Sequence, residues 1–590
     1  MKKLLFTGLA GCSLALNVNA AWIHDWSAGI GSSATSSPDR GKCVAMPINN
    51  AVTSAGVFTG TVDFDPSAGV TTKTSIGTTD MYILQDNING TFSWVLQVGG
   101  SGCTIEPANI ITDANGTLYV CGRIMGSADF DPGAGVTTVT SASSTAYDAF
   151  LASYSASGSL NWAFCIGGTN GDEAYGLCMG PGGTNVAFTG FYSGSVDFDP
   201  TGGIATLTNY GGTDGFLARY NASTGAYNAA FHIGGSGDDA IMALCVDGSS
   251  NLYATGYYSG TAYMDFGGTT TLTSAGGKDI FVCKYSGTTL TWDKSSGGTN
   301  DDQSVDIAFY GNYVYIGGGV GAGTDNFAGG TYSMTVGTGN DGYLAACDLT
   351  TGNTSWLAPL SPPTGATTDG NDMVQNIAVD GHGYVYATGL FGSSTLDIYD
   401  PSTASVATTL TNAASGGSAD FFMLRYNTGG VYKDACRIGA SLIEGCPGLV
   451  AWQNPGTGAH EIFVTGAFMS TVDFDPGAGT VNHSSGGLLD QNIFIGRYSW
   501  TTPVRLHAAE EQGTTINLFP NPSAGTVTVD HLVAGDVVTL YSLDGKEAAS
   551  WPAEEDRLSL DLSTFENGVY LLNIRKADGT VVSEKIILQR

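Results

Sequence analysis

The pentapeptide "VDFDP" at residues 62–66 recurs along the chain, and its recurrence decides the fold. It returns as "ADFDP" at residues 128–132 and again as "VDFDP" at 196–200 and 472–476. The degenerate copies "MDFGG", "TDNFAGG" and "LDIYDP" lie in the interval between the last two. The first Asp of each copy gives seven positions: Asp63, Asp129, Asp197, Asp265, Asp325, Asp397 and Asp473. Self-similarity at a near-constant spacing indicates a repeat architecture.

The flanks of the motif repeat as well. Before it stands an alternating segment that ends in Gly, such as "LYVCG" or "VAFTG", and after it an Asp with an aromatic segment, such as "DAFLASY". An aromatic segment such as "LNWAFCIGG" and an apolar one such as "ANIITD" complete the copy. Alternation and aromatic enrichment predict four strands per copy. Because four antiparallel strands with Gly-rich turns are typical of one blade, seven copies predict an all-β, seven-bladed β-propeller.

Two features of the copies predict further detail. Residues 22–32, "WIHDWSAGIGS", resemble a fourth strand without the preceding three, whereas the seventh copy ends near 498 without its fourth strand. The N-terminal strand is therefore expected to complete the last blade and remove an open edge. Each copy is longer than an ordinary blade, and the surplus lies around the motif, which predicts an added hairpin or long loop between the second and third strands.

These repeats resemble the bacterial β-propeller repeat family known as SBBP over residues 22–498. The resemblance rests on the ordered recurrence of the strand ending in "TG", the "VDFDP" motif, the Asp-aromatic strand and the Gly pair. It implies the propeller fold and says little about activity, because a fold alone does not give function.

Beyond the repeats the pattern changes. Residues 499–512 are polar and are interpreted as a linker, and 513–590 alternate as strands with "DG" and "NG" turns, which predicts a small Ig-like β-sandwich. This segment closely resembles the type A C-terminal sorting domain of the type IX secretion system. The resemblance implies a Bacteroidota host, contact with the secretion machinery, passage through the outer membrane, and removal of the domain with release or surface anchoring. The matching motif residues are Phe519, Pro520, Asn521, Pro522, Gly525, Asp544, Gly545, Lys546, Gly568 and Tyr570.

The N-terminus predicts export. Residues 1–20 combine a basic start at Lys2 and Lys3, an apolar run over 4–16 and a small-residue cleavage site at Ala20. A competing interpretation is a lipoprotein box, "LAGC", in which Cys12 is lipidated. With cleavage after Ala20, the propeller is expected to span 21–498. Elsewhere the chain has no stretch long and apolar enough for a transmembrane helix.

Composition narrows the partners. The chain has 21 Lys and Arg against 53 Asp and Glu, a net charge of −32. Such a surface repels phosphate backbones, so nucleic acid is excluded as a partner and cations are favoured. We expect a monomer. The ten Cys after the signal segment favour small buried apolar side chains, with Cys436–Cys446 and Cys165–Cys178 left open as bridges that export would permit.

No catalytic residue is predicted. The seven His are scattered without a metal-binding spacing, and no nucleophile elbow or phosphate-binding loop is present. In the motif, two Asp at positions i and i+2 of an extended segment point to one side, and the Phe between them points to the core. The carboxylates either cap the turn that Pro initiates or hold a hard cation such as Ca²⁺. The candidate ligands are Asp63, Asp65, Asp129, Asp131, Asp197, Asp199, Asp473 and Asp475.

The sequence thus predicts a secreted or surface-displayed, non-enzymatic binding or scaffold protein, with cation binding on one acidic face as the working hypothesis. Its ligand would be a surface glycan or a protein. The alternative is a secreted polysaccharide hydrolase or lyase with its site on that face, and a third interpretation is a structural protein without a ligand. Regularly spaced, turn-capping Asp favour a scaffold, whereas perturbed carboxylates beside an aromatic cleft favour an enzyme.

Overall fold

The molecule is nearly all β-structure. The computed structural model describes residues 22–32, 38–67, 69–361, 370–413, 419–440, 445–454, 459–487, 490–500, 517–521, 523–542, 546–576 and 581–589. Within them the chain divides into two compact units, one ending at Thr501 and one that follows it. A single short 3-10 turn, Pro181–Gly183, accompanies the strands of the described part. None of the described helical structure has the length and apolar character needed to cross a membrane.

The first unit consists of groups of four antiparallel strands, numbered 1 to 7 here. The strands of a group are called its inner, second, third and outer strand. They follow one another in this order along the chain, except that the outer strand of group 7 is the N-terminal strand. The groups are Arg40–Ile48, Ala51–Phe58, Asp80–Asn87 and Phe92–Val98; Thr104–Thr112, Leu118–Met125, Asp148–Tyr154 and Leu160–Ile166; Glu173–Met179, Asn185–Tyr192, Asp214–Asn221 and Tyr227–Gly235; Ala240–Val246, Asn251–Tyr263, Thr271–Ser286 and Thr289–Ser296; Gln303–Tyr310, Tyr313–Asn326, Ser333–Asp348 and Thr354–Ser361; Asp372–Val379, Tyr384–Phe391, Asp420–Asn427 and Tyr432–Ile438; and Gly445–Gln453, His460–Phe468, Asn492–Trp500 and Trp22–Ile30.

The middle strands of each group carry the core. Asp148–Tyr154 is buried at every position, and Leu118–Met125 beside it is buried at nearly every one. Burial of both strand faces requires cover on both sides of the sheet, and this explains why these segments are continuous apolar runs. The buried residues of neighbouring groups accordingly form shared clusters, such as the one that joins Ile83 of group 1 to Ile110 of group 2.

The N-terminal strand completes group 7, as the sequence predicts. Trp22–Ile30 pairs antiparallel with Asn492–Trp500, in a register that places Trp22 opposite Trp500 and Ile30 opposite Ile493. The rings of Trp22 and Trp500 meet edge to face at 5.9 Å. The two ends of the first unit are therefore held together by a strand ladder rather than by loops.

The motif segments form hairpins, which confirms the expected insertion between second and third strands. Separate hairpins are formed by Thr61–Asp63 with Thr72–Thr74, Ser127–Asp129 with Thr138–Thr140, Ser195–Asp197 with Thr206–Thr208, Thr395–Asp400 with Ser405–Thr411, and Thr471–Asp473 with Asn482–Ser484. In groups 4 and 5 the long second and third strands continue into the hairpin. Some hairpins also pair with the outer strand of the preceding group, as Ile398 does with Leu360.

The Phe of each intact motif anchors its hairpin. Phe64, Phe130, Phe198 and Phe474 are fully buried, as predicted for the side opposite the two Asp. A buried Tyr from the third strand donates its hydroxyl to the backbone carbonyl of three of them, for example Tyr154 to Phe130 at 3.0 Å and Tyr220 to Phe198 at 2.7 Å. The hairpin is thus fixed to its own group by packing and by a buried hydrogen bond.

The inner strands of the groups meet around one central cavity. Each inner strand contacts the inner strands of the groups before and after it, and Gly445–Gln453 of group 7 contacts Arg40–Ile48 of group 1. The cavity has a volume of about 800 Å³ and is lined by residues from the inner strands of groups 1 to 7. Each of these strands carries a register shift against its second strand near its start, and such bulges re-aim side chains.

Buried Asp residues tie successive groups together. Asp239 accepts a backbone hydrogen bond from Gly235, at the end of the outer strand of group 3, and another from Ser259 of group 4. Asp172 does the same between groups 2 and 3. Asp39 bonds Ser32, which follows the N-terminal strand, and Thr59 of group 1. The side chain of each of these Asp residues thus connects two neighbouring groups, because it accepts backbone hydrogen bonds from both.

Burial of these carboxyl groups makes stability depend on pH. Burial raises the pKa of Asp172 and Asp239 to about 7, and that of Asp148, Asp214 and Asp279 to about 6. Between pH 4 and 7 the folded chain therefore holds protons that the unfolded chain, with Asp pKa values near 3.9, has lost. Raising the pH through this window favours unfolding, so we expect the melting temperature at pH 8 to lie several degrees below that at pH 5.

A matched pair of variants separates this effect from general charge repulsion. Asp239→Asn removes a buried titrating group and should reduce the difference between the two melting temperatures. Asp238→Asn removes the same formal charge from an exposed neighbour and should leave that difference close to that of the wild type. Equal differences in the two variants would contradict the assignment to burial.

The second unit comprises two antiparallel sheets. A three-stranded sheet contains Asn517–Phe519, Thr526–Asp530 and Arg557–Asp561, and a four-stranded sheet contains Glu547–Pro552, Val537–Ser542, Gly568–Arg575 and Val581–Leu588. Apolar residues of both sheets, including Val529, Leu540, Leu560 and Leu572, form one buried cluster. Two sheets around one core agree with the predicted small sandwich.

The cysteines behave as apolar side chains. Cys43, Cys103, Cys121, Cys283, Cys347 and Cys436 are buried and free. Cys165 and Cys178 are also free, so the bridge considered between them is not formed, and the Cys165 thiol instead donates to the carbonyl of Thr140 at 3.0 Å. The Cys446 side chain lies outside the described part, as does the signal segment of residues 1–20. Of the predicted linker of 499–512, only Ser499 and Trp500 are described, and they form the end of the strand Asn492–Trp500.

Candidate functional site

The eight Asp of the intact motifs cap their own hairpins. Oδ1 of Asp129 accepts backbone hydrogen bonds from Asp131 at 3.0 Å and Thr137 at 2.8 Å, and Oδ1 of Asp131 accepts one from Gly133 at 2.8 Å. The same pattern recurs in the hairpins that contain Asp63 and Asp65, Asp197 and Asp199, and Asp473 and Asp475. Turn capping is thus a role that each of these carboxylates fulfils.

Ca²⁺ binding by the same carboxylates stays a prediction, and it can be tested on the whole chain. Bound Ca²⁺ would raise the melting temperature by mass action, and a chelator would reverse the rise. Asp131→Asn and Asp475→Asn, which keep an oxygen for the backbone N–H, should remove part of the response. Identical melts in Ca²⁺ and in chelator would exclude a cation role.

Charged side chains gather at one end of the central cavity, here called the hairpin end. Lys42, Glu106 and Glu173 lie near the starts of their inner strands, and Arg123 lies opposite Glu106 on the strand that leads into a motif hairpin. Arg123 donates to Glu173 at 2.9 Å and to Glu106 at 3.0 Å, and the Lys42 ammonium lies 3.6 Å from Glu106. The charges of two cationic and two anionic side chains therefore balance, and these side chains come from the strands of groups 1, 2 and 3.

Aromatic rings lie beside this charged group. The guanidinium of Arg123 lies 4.4 Å from the centroid of Tyr147. Tyr175 donates its hydroxyl to Glu173 at 3.1 Å and packs against Phe191 with ring centroids 5.9 Å apart. The Lys278 ammonium lies 4.1 Å from the centroid of Tyr257. All four rings are half-buried, so each offers a partly accessible face beside fixed polar groups.

Asp306 adds an ionisable group to the cavity wall. Its carboxylate accepts backbone hydrogen bonds from Ile307 at 2.8 Å and from Ile377 of the next inner strand at 2.7 Å. Burial raises its pKa to about 7. Sequence reasoning missed this residue because it belongs to no motif, and only the contact between inner strands places it in the cavity.

Two histidines that sequence analysis treated as scattered lie side by side. His382, in the turn after the inner strand of group 6, and His460, the first residue of the second strand of group 7, have ring centroids 4.4 Å apart. The Asp380 carboxylate lies 2.7 Å from Nδ1 of His460. One ligand atom from each of Asp380, His382 and His460 lies within 4.8 Å of the others.

A second histidine pair encloses a serine. The hydroxyl of Ser27, on the N-terminal strand, lies 2.8 Å from Nε2 of His24 and 2.8 Å from Nε2 of His483 in the motif hairpin of group 7. Burial lowers the pKa of both histidines. A neutral imidazole has one N–H and one lone pair, so the tautomer of each ring sets whether its Nε2 donates to the Ser27 hydroxyl or accepts from it.

Three of the motif residues predicted for sorting, Asn521, Gly568 and Tyr570, lie beside the final strand. The Asn521 side chain accepts from the amide of Ile587 at 2.9 Å and donates to the carbonyl of Lys585 at 2.5 Å. Phe519 is 45% exposed, Gly525 has a φ of 146°, Lys546 is exposed and Gly568 begins a strand. Tyr570 donates to the carbonyl of Glu566 at 3.0 Å. Pro522, Asp544 and Gly545 fall outside the described residues.

Comparison with known families places residues 517–589 in a match to "Secretion system C-terminal sorting domain". This agrees with the resemblance drawn from the motif residues, and it indicates export by the type IX secretion system to the cell surface or the extracellular space. Comparison with curated proteins finds no match.

Comparison with solved structures finds matches at low similarity. One, described as "Structure of U3-55K", is 10% identical, covers 80% of this chain and 98% of its own, and has a TM-score of 0.39. A second, PorZ, described as an essential bacterial surface component of the type-IX secretion system of human oral-microbiomic Porphyromonas gingivalis, is 12% identical with coverages of 93% and 81% and a TM-score of 0.22. A europium-containing methanol dehydrogenase is 10% identical with coverages of 81% and 93% and a TM-score of 0.36. We draw no functional conclusion from likeness at this level.

Proposed function

We propose that the first unit is a closed, seven-bladed β-propeller of the kind that SBBP repeats imply, spanning residues 21–498. Support comes from the cavity that inner strands of groups 1 to 7 line in common, and from the ladder between Trp22–Ile30 and Asn492–Trp500. Such a ladder removes the open edges that a linear row of blades would have.

The propeller is an exported protein, followed by a linker at 499–512 and a sorting domain at 513–590. A fusion of residues 513–590 to a periplasmic reporter tests the address in a host with a type IX system. We expect the reporter to reach the surface or the medium. In the matched control, residues 521–525 of the fusion are replaced by Ala, since Asn521 and Ser523 of this segment hydrogen-bond to the last strand. A wild-type fusion that stays periplasmic would contradict the assignment.

Outside the cell, the protein acts as a non-enzymatic binding or scaffold protein whose ligand, a glycan, binds at the hairpin end of the cavity. The observation that carries this proposal is the presence of half-buried aromatic side chains beside the ion-paired group of Lys42, Glu106, Arg123 and Glu173. Apolar faces beside a few oriented polar groups are typical of ligand sites. The carboxylates of Glu106 and Glu173 are already paired with the side chains of Arg123 and Lys42. This pairing suits a role as fixed hydrogen-bond acceptors better than a role in proton transfer.

A glycan array probed with the full chain, followed by calorimetry on the glycans it selects, tests this proposal. Tyr257→Ala removes one ring of the site and should weaken binding about tenfold, which corresponds to about 1.4 kcal/mol and lies within the range of about 0.5–1.5 kcal/mol for a lost aromatic contact. Tyr210→Ala, which removes a 52% exposed ring from a motif hairpin, is the control and should bind as the wild type does. Equal affinities of the two variants would place the ligand elsewhere.

One observation favours the hydrolytic alternative. Ser27 between His24 and His483 has the contacts of a hydroxyl nucleophile with a neighbouring base. Ser27 and His24 lie on the N-terminal strand, and His483 lies on the hairpin that also carries Asp473 and Asp475. This arrangement suits removal of ester groups from a polysaccharide. Ester hydrolysis by the wild-type chain that Ser27→Ala abolishes would establish an enzyme, and inactivity of the wild type on acetylated polysaccharides would dismiss it.

A further inference from the structure

The pair of His382 and His460 lies away from the hairpin end of the cavity. His382 lies in the turn that joins the inner to the second strand of group 6, and His460 begins the second strand of group 7. Turns of this kind lie at the opposite edge of the sheets from the motif hairpins, because inner and second strands are antiparallel. The pair therefore belongs neither to the proposed glycan site nor to the motif carboxylates.

The repeats show that the turn itself does not need these histidines. Asp380 caps it by accepting backbone hydrogen bonds from His382 at 2.9 Å and Tyr384 at 3.0 Å. Asp247 and Asp113 cap the equivalent turns of groups 4 and 2 through the same positions. Those turns carry Ser249 and Asn115 where group 6 has His382. The two imidazoles are thus an addition to a turn that is already satisfied.

Asp380 also fixes the state of the His460 ring. Its Oδ2 accepts a hydrogen bond from the Tyr386 hydroxyl at 2.8 Å and lies 2.7 Å from Nδ1 of His460. Because a carboxylate oxygen only accepts, Nδ1 of His460 carries a proton, and in the neutral ring the lone pair that can bind a metal ion is then on Nε2. A carboxylate that holds a histidine in this way is the usual outer partner of a metal-binding imidazole.

The surroundings leave the ring pair open to solvent on one side. His382 is exposed, and His460 is partly exposed with its ring 5.3 Å from Trp500. The pair can therefore accept an ion without unfolding the turn, and water can fill the remaining coordination positions. Imidazole nitrogen selects zinc, copper or nickel over calcium and magnesium, which prefer oxygen.

We propose that His382 and His460 bind a divalent transition-metal ion such as Zn²⁺, with Asp380 positioning the His460 ring. The site joins group 6 to group 7, the group that the N-terminal strand completes, so a bound ion would link two blades through their side chains.

The test is calorimetry of the untagged full chain with ZnCl₂ and, separately, with CaCl₂. We expect binding of one Zn²⁺ per chain and no corresponding binding of Ca²⁺ to this pair. His382→Ala should weaken Zn²⁺ binding by at least about tenfold without changing the melting temperature of the metal-free chain, since His382 is exposed. Zn²⁺ should raise the melting temperature of the wild type and not that of the variant.

His24→Ala is the matched control, because His24 belongs to the other histidine pair. It should bind Zn²⁺ as the wild type does, whereas His460→Gln should lose binding like His382→Ala. The proposal is overturned if the wild type fails to bind Zn²⁺, if His382→Ala binds it with unchanged affinity, or if His24→Ala is the variant that loses it.

Discussion

Deleting residues 22–32 should abolish cooperative folding of the first unit or lower its stability by on the order of 5 kcal/mol or more. The deletion removes a strand that pairs along Asn492–Trp500 and buries Trp22, Ala28 and Ile30. It also removes the hydrogen bond that the Ser32 amide donates to Asp39, and it exposes a sheet edge that is prone to aggregation. Thermal and urea unfolding of the deleted chain against the full chain measure the loss, and unchanged stability would refute closure by this strand.

Two substitutions in the same strand refine the result. Ile30→Ala should cost about 2–4 kcal/mol because Ile30 is 2% exposed and a cavity would remain. Ile23→Ala removes the same atoms from a side chain that is 38% exposed and should cost less than about 1 kcal/mol. Equal costs at the two positions would mean that the strand does not pack in the register described.

Arg425→Met should destabilise the first unit by about 3–5 kcal/mol, because it leaves the buried Asp434 carboxylate without its cation. Arg425 and Asp434 are 3% and 7% exposed, and Nη2 of Arg425 lies 2.5 Å from Oδ2 of Asp434. The guanidinium also lies 4.4 Å from the ring centroid of Trp500 and 4.8 Å from that of Tyr384. Its ion pair with Asp434 therefore lies within group 6, whereas its packing on Trp500 joins group 6 to group 7.

Urea unfolding at fixed pH measures this loss. Lys433→Met, which removes an exposed positive charge from the strand that carries Asp434, is the control and should stay within about 0.5 kcal/mol of the wild type. The double variant Arg425→Met/Asp434→Leu should regain much of the lost stability, because replacing both partners of a buried pair by apolar groups is often neutral. A double variant no more stable than Arg425→Met would point to the aromatic stacking instead.

The strand repeat, the motif hairpins and the pairing of the N-terminal strand could be predicted, because a short stretch of sequence indicates each of them. Alternation marks the strands, Phe130 and its equivalents mark the buried side of the hairpin, and the missing fourth strand of the last copy identifies its partner. The capping role of Asp129 and Asp131 was one of two interpretations, since a pattern of carboxylates cannot show which oxygens the backbone already uses.

The candidate sites could not be predicted, because they depend on contacts between repeats. His460 and Asp380 are 80 positions apart, and Arg123 reaches Glu173 across 50. No spacing rule connects such residues until the inner strands are placed side by side. The degenerate copies also hide equivalences: His382 stands where other copies have small polar residues, so the sequence gives no sign that it gains a partner.

The pairing of Trp22 with Trp500 has a consequence for the order of synthesis. The strand Trp22–Ile30 is synthesised long before its partner Asn492–Trp500. Their pairing is therefore a late event in folding, and it costs a large loss of chain entropy. The sorting domain is made later still. A chain that stops before residue 492 therefore lacks both the partner strand of Trp22–Ile30 and the C-terminal sorting domain.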